Sequence, residues 1–375
     1  MKIHAAVLRE MGSPAPYADS RPLRIETVEL DAPGPGEVLL QIKVAGLCHS
    51  DLSVINGDRP RVMPMVLGHE SSAEVVDVGP NVQGLQRGDH VVTIFVPTCG
   101  RCQACLSGRP ALCEPGARAN TEGTLLTGAR RLSQAKQPLN HHLGVSSFAE
   151  YAVVSEASCI KVHQALSHRE AALFGCAVLT GAGAIINTAQ AKPGDSAAIV
   201  GLGGVGLSAL LTTVAAGAQR VVAIDLDDNK LDLAKTLGAT HTLNPQSVST
   251  QAALLEAAGG PVDFAYDAAA GSAAFNTAYS LTRRGGRTIS SGLPHPNATF
   301  PLPLAQLVAD ERHVCGSYLG SGVPARDIHR FINLYLAGKL AVDQLLGETF
   351  TLDTINEGFD HLASGSSLRN AVTIS

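Results

Sequence analysis

The chain has 375 residues, 45% apolar and 16% charged, with a formal net charge of -5 at pH 7. That length suggests two domains with ample core in each, and the mild acidity leaves no footprint for a nucleic-acid or anionic-membrane partner. Its eight cysteines do not read as a disulfide set in a chain of this kind.

At the N-terminus, charges break up the apolar residues of Met1–Glu10, so the h-region of a secretory signal is missing and a cytoplasmic protein is expected. Residues 1 to about 95 read as strands and turns, a small all-β region forming a partly closed barrel. The clearest strand candidates are Ile25–Leu30, Glu37–Val44, Ser72–Val78 and His90–Ile94, with turns at Pro33-Gly-Pro-Gly36 and Gly79-Pro-Asn. Cys48-His-Ser-Asp51 closes a strand and opens a short helix, and Gly68-His-Glu70 precedes another strand. With Cys176, far downstream in Phe174-Gly-Cys176, Cys48 and His69 would make a Cys₂His set. Its open fourth position is what separates a catalytic zinc from a structural one.

Between these lies Cys99-x₂-Cys102-x₂-Cys105-x₇-Cys113, four thiolates spaced to close around one structural zinc. Compartment and crowding argue against disulfides here. A strand-rich flank and the long last gap, with no Cys-Pro after it, favour zinc over an iron–sulfur cluster. Cys159 and Cys315 are left over and read as buried small apolar residues. Residues 114–147 form a long polar segment; His141-His142 within it has no third ligand nearby in sequence and reads as loop or pocket rim.

Two uncharged runs, Ala171–Ala191 and Ala197–Ala218, are punctuated by glycines and read as buried α/β core, not membrane spans. The second contains Gly201-Leu-Gly203-Gly204-Val205-Gly206, with a short apolar strand before it, an apolar helix after it, and a β-branched run ending on Asp225. This is the order of a dinucleotide-binding βαβ unit. Gly201 permits the tight turn, Gly203 lets backbone approach a pyrophosphate, and Gly206 lets helix and strand pack closely. Asp225 is placed to accept from a ribose 2′-OH, and the next three residues are Leu, Asp and Asp, so NAD is expected in preference to NADP. Further on, Asn229–Leu237 reads as a helix, and Val262–Asp267, Arg287–Ser291 and His313–Tyr318 as strands.

Taken in order, Cys48-His-Ser-Asp51, Gly68-His-Glu70, the four-cysteine lobe, Cys176 before Thr180-Gly181, the glycine fingerprint and Ile355-Asn-Glu-Gly-Phe359 span essentially the whole chain. The sequence resembles the zinc-dependent medium-chain alcohol dehydrogenases, in particular their longer, typically dimeric branch. The resemblance implies an α/β protein in which a GroES-like β-rich catalytic domain (1–178 and 320–375, structural-zinc lobe about 95–115) encloses a Rossmann doubly wound parallel-sheet NAD domain (179–319). It implies two zincs per chain, a catalytic one on Cys48, His69 and Cys176 and a structural one on Cys99, Cys102, Cys105 and Cys113.

By the same resemblance Ser50 accepts the alcohol proton, Asp51 orients the zinc-bound histidine (helix capping being its competing role), and Glu70 lies behind the metal. His49 and Arg369 match pyrophosphate-binding residues, Lys230 a lysine near the adenosine ribose, and Thr180, Gly204 and Val205 further cofactor contacts. Phe95 and Leu143 match apolar walls of the substrate channel. The sequence departs from many relatives at Ser53, where they carry a relay histidine. The implied activity is interconversion of medium-chain aliphatic or aromatic alcohols and their aldehydes or ketones with NAD, by a homodimer (or tetramer). Two alternatives stay open: a dehydrogenase of S-hydroxymethyl-glutathione, for which Arg118, Arg130 and Arg131 are candidate anchors, and a non-catalytic nucleotide-binding protein on the same fold.

Overall fold

The computed structural model describes residues 1–365 and 368–374. The chain divides into two compact units, one of Met1–Cys176, Val323–His329 and Leu346–Ser375, the other of Ala177–Gly322 and Arg330–Leu345. Relative to the division suggested by sequence, residues 330–345 group with the nucleotide-type unit.

The first unit is built on Glu37–Gly46, the longest strand of its sheet. Strand order there is Cys159–Lys161, His90–Thr93, Ser71–Val78, Glu37–Gly46, Arg369–Thr373 and Leu346–Phe350, with Tyr151–Ser155 also paired to Glu37–Gly46. The period-two alternation of a strand sends its side chains to two cores. Val38, Leu40 and Ile42 join Ala73, Val75, Val91 and Val154, while Leu39 joins Ile3, Val7, Val28 and Val66. The latter group fills a closed five-stranded barrel ordered Lys2–Leu8, Leu23–Leu30, Leu132–Gln134, Gln137–His141 and Met65–Val66. The wholly buried Leu40 and Ile42 each contribute about 1.5–3 kcal/mol by leaving water.

The polar segment 114–147 contains a helix and a hairpin. Glu114–Glu122 is a helix with Pro in its first turn, stopped by Gly123 in the left-handed conformation at φ 67°. A hairpin follows, Leu132–Gln134 against Gln137–His141, turned by Ala135 and Lys136 at φ 48° and 65°.

In the second unit six parallel strands run in the order His241–Leu243, Arg220–Ile224, Ser196–Val200, Val262–Asp267, Thr282–Ser290 and His313–Gly316. Counted along the chain this is 3-2-1-4-5-6, the doubly wound order whose ligands bind where it reverses, outside the carboxyl end of the first strand. Ser196–Val200 is buried along its whole length, as expected of a central parallel strand. The edge strand His313–Gly316 is exposed at Val314 and leaves Cys315 half-buried, not in a core. The apolar run 197–218 is the central strand and the buried helix Gly204–Ala215. Among the described residues no single helix is long and apolar enough to cross a membrane.

Candidate active site

Three local structures bring one group of donors together. Strand Glu37–Gly46 runs out through Leu47 into Cys48, which is extended (φ -130°) and precedes the helix His49–Ile55. His69 and Glu70 follow Gly68, whose φ of +91° and whose contact with Phe148 (a Cβ would stand 2.6 Å from its backbone nitrogen) admit only glycine. Cys176 follows the single turn Leu173–Gly175. The donor atoms of Cys48, His69, Glu70 and Cys176 lie within 4.8 Å of one another and all four residues are buried. Cys176 Sγ is 3.7 Å from His69 Nε2. A hydrogen bond from Cys176, opposed by burial and assisted by the charges of Arg369 and His69, holds the Cys48 thiol well below its ordinary pKa. Two sulfurs and an imidazole nitrogen in a buried pocket fit zinc's preference for soft and borderline ligands.

His69 is aimed by its other nitrogen. Nδ1 is 2.9 Å from Asp51 Oδ2, and Asp51 Oδ1 accepts the Gly68 N–H at 3.0 Å. Asp51 makes no helix-cap hydrogen bond; its carboxylate is wholly buried and turned to the histidine, an arrangement that fixes ring orientation at metal sites. Phe95 packs edge-on against His69, ring centroids 5.4 Å apart, and Leu143 is buried with φ 51°. On the helix after Cys48, His49 is exposed and Ser50 half-buried. The Ser53 hydroxyl donates to the His49 carbonyl at 2.8 Å.

In the lobe, the sulfurs of Cys99, Cys102, Cys105 and Cys113 also lie within 4.8 Å of one another. All eight cysteines are free thiols. The Cys99 N–H donates to Cys113 Sγ at 3.2 Å and the Cys102 N–H to Cys99 Sγ at 3.3 Å, which favours thiolate. Backbone donation from Cys105 lowers the Cys102 pKa to about 6. The four fit a closed tetrahedral zinc.

In the second unit, Gly201 turns at φ +88°, and a Cβ on Gly206 would stand 1.7 Å from the Gly201 carbonyl oxygen. A Cβ on Gly203 would meet nothing within 4 Å, so the backbone there faces open space at the start of the helix Gly204–Ala215, where N–H groups and dipole favour phosphate. Asp225 directly follows the strand Arg220–Ile224, with Oδ2 accepting the Leu202 N–H at 2.6 Å and Oδ1 the Asp227 N–H at 3.0 Å. Thr180 lies in the helix Ala177–Gly183, and Lys230, half-buried, in the helix Asp228–Thr236.

Residues 34–164 match the family described as Alcohol dehydrogenase GroES-like domain, and 204–337 that described as Zinc-binding dehydrogenase. The chain is 33% identical to the S-(hydroxymethyl)glutathione dehydrogenase of Paracoccus denitrificans, over 99% of this chain and 100% of that one. The chain belongs to the zinc-dependent medium-chain alcohol dehydrogenases. Among solved structures, benzyl alcohol dehydrogenase from Acinetobacter calcoaceticus superposes with TM-score 0.92 at 32% identity, each chain covered in full. An alcohol dehydrogenase zinc-binding domain protein from Burkholderia ambifaria gives 0.93 at 33%, covering 100% of this chain and 99% of that one.

Two residues of this alcohol dehydrogenase have partners that sequence reasoning does not supply. Arg369, read as a phosphate ligand, is buried and paired with Glu70. The strand Arg369–Thr373, paired with Val44–Gly46, carries it there. His142, read as loop or rim, is 1% exposed, with Nε2 3.3 Å from Asp51 Oδ1. His141 is equally buried and accepts the Arg131 N–H at 3.0 Å. No spacing rule pairs His142 with Asp51, because the long stretch between them closes only through tertiary contacts.

Proposed function

We propose that this dehydrogenase oxidises primary aliphatic and aromatic alcohols and reduces their aldehydes, with zinc on Cys48, His69 and Cys176 and NAD on the glycine loop. The convergence of two thiols and one imidazole nitrogen within 4.8 Å carries the reading. Zinc there supplies the Lewis acidity that makes an alcohol hydroxyl acidic near neutral pH, and NAD the hydride acceptor. Asp51 holds the His69 ring with Nε2 toward the sulfurs. Phe95 and Leu143 present apolar walls, and Ser50 takes the hydroxyl proton. Ser53, bonded to its own helix, does not extend the relay, so the proton leaves by water or the cofactor ribose. Glu70 and Arg369 form a buried pair that balances charge behind the sulfurs, and His49 and Lys230 attract the cofactor.

Cys99, Cys102, Cys105 and Cys113 hold the structural zinc. Asp225, followed by Asp227 and Asp228, selects NAD over NADP. We also propose a cytoplasmic homodimer, joined through the edge strand His313–Gly316, beside which Leu304 (70% exposed) and Val308 (75%) offer apolar surface.

Oxidation of S-hydroxymethyl-glutathione is the second reading, favoured by the likeness to the Paracoccus enzyme. Against it, two of the three candidate anchors are engaged: Arg131 with the buried Glu37, and Arg130 with Asn140 and the Glu122 carbonyl. Initial rates of NAD reduction with hexanol, benzyl alcohol and S-hydroxymethyl-glutathione test both. Chelator-sensitive turnover of the simple alcohols supports the first reading. Turnover of the glutathione adduct alone overturns it.

A further inference from the structure

We infer that His142 is a positioning residue for the catalytic metal centre: its Nε2–H donates to Asp51 Oδ1 and fixes the carboxylate that orients His69. The inference rests on the proposal that Cys48, His69 and Cys176 hold zinc.

His142 opens a turn whose backbone is unusual. Leu143 (φ 51°), Gly144 (φ 68°) and Ser146 (φ 56°) are all left-handed, a conformation that non-glycine residues keep only when the surroundings enforce it. The enforcement comes from the segment that carries His69. The His142 N–H donates to Ser146 Oγ at 2.9 Å, and Ser146 Oγ to the Val66 carbonyl at 2.8 Å. The N–H groups of Ser147 and Phe148 donate to the carbonyls of Gly68 and Leu67, each at 3.1 Å. The turn and the histidine segment therefore move as one piece.

Within that piece the His142 ring is 1% exposed and edge-on to His69, centroids 5.7 Å apart. An imidazole carries at least one N–H, and a buried donor requires an acceptor. Neither ring nitrogen has an aligned hydrogen-bond partner, and Asp51 Oδ1, 3.3 Å from Nε2, is an acceptor that a small turn of the ring brings into line. With His142 included, Asp51 faces three N–H donors: His69 Nδ1, the Gly68 amide and His142 Nε2. His69 and Gly68 anchor one oxygen each, Oδ2 and Oδ1, and His142 adds a second contact on Oδ1 from the opposite segment of chain.

Asp51, His69 and His142 also fall within 4.8 Å of one another, which raises the question of a metal of their own. The 2.9 Å between His69 Nδ1 and Asp51 Oδ2 is a proton-sharing distance. Ligands on a tetrahedral zinc at about 2.0–2.1 Å stand roughly 3.3 Å apart.

The test measures zinc transfer from the holoenzyme to a chromogenic chelator, for the wild type, His142→Phe and His142→Gln. Glutamine places an amide N–H near the reach of Nε2, and phenylalanine keeps the ring but no donor. In His142→Phe one of the two zincs leaves about tenfold faster, the lower end of the scale for partners beyond a metal ligand. In His142→Gln it leaves within about threefold of wild type, and the other zinc is unchanged in both. Equal rates in wild type and His142→Phe overturn the inference, as do equal accelerations in the two variants, which assign the effect to packing. A third zinc per wild-type chain overturns it in favour of a metal on the trio. A wild type with only the four-cysteine zinc sinks the parent proposal as well. Should His142→Phe fail to fold, ring ¹⁵N shifts of the wild type decide: a protonated Nε2 supports the inference and a protonated Nδ1 refutes it.

Discussion

Alanine at Gly203 and at Gly206 should separate cofactor binding from folding. At Gly206 the added Cβ stands 1.7 Å from the Gly201 carbonyl oxygen, half the 3.4 Å at which ordinary contact begins. Neither atom is at the end of a flexible side chain, so helix and strand must part, at an overpacking cost of about 1–3 kcal/mol. That lowers the melting temperature by roughly 3–10 °C. At Gly203 the backbone (φ -74°, ψ -174°) suits any residue and no atom lies within 4 Å of the new methyl, so stability changes by less than about 0.5 kcal/mol. The methyl instead occupies the space through which a pyrophosphate reaches the helix N-terminus. A displacement costing about 2 kcal/mol weakens NADH binding roughly thirtyfold. Thermal melts and NADH fluorescence titrations read the two effects separately. Gly203→Ala with wild-type affinity refutes the placement of the cofactor on this loop, and Gly203→Ala as unstable as Gly206→Ala refutes the packing argument.

Acid should unfold the protein partly through His141. Burial, with Arg130 and Arg131 assisting against Glu37, pushes its pKa from 6.5 down to about 4, so below pH 6.5 the unfolded chain binds a proton that the native state refuses. Its contribution is intact above pH 6.5 and is lost on acidification, up to about 3 kcal/mol near pH 4; urea midpoints against pH should fall less steeply in His141→Gln, and equal slopes would contradict the assignment. Asp225→Gly removes an acceptor and a negative charge at the end of its strand, and should raise kcat/KM for NADP relative to NAD by roughly tenfold; an unchanged ratio places the selectivity elsewhere. Cys105→Ser should cost one zinc per chain by metal analysis and lower the melting temperature by roughly 5 °C, and a full zinc content would remove Cys105 from the structural site.

Much of this arrangement is legible in sequence because its signals are local. The glycine loop declares itself through a strand before it and a helix after it, and the lobe cysteines through spacing alone. Cys48, His69 and Cys176 are singled out by their flanking motifs, and the structure gathers their donors with that of Glu70. The segment 114–147 fails to declare itself for identifiable reasons. Its helix buries only Gly116, Ala119 and Asn120, which leaves no apolar periodicity to read. Its hairpin turns on Ala135 and Lys136 in left-handed conformations, without the Asn-Gly pair that usually marks such turns. The partners of Arg369 and His142 are missed differently. Each residue acquires its partner, Glu70 or Asp51, only when strands and turns distant in sequence pack together, and no local pattern encodes that.

The most direct test of the central claim is zinc content together with benzyl-alcohol-dependent NAD reduction in Cys176→Ser, with NADH affinity measured on the same preparation. Loss of one zinc ion per chain and of turnover, with NADH binding within about threefold of wild type, is the result expected if Cys48, His69 and Cys176 carry the reaction. A variant that keeps its full zinc and its rate would contradict it.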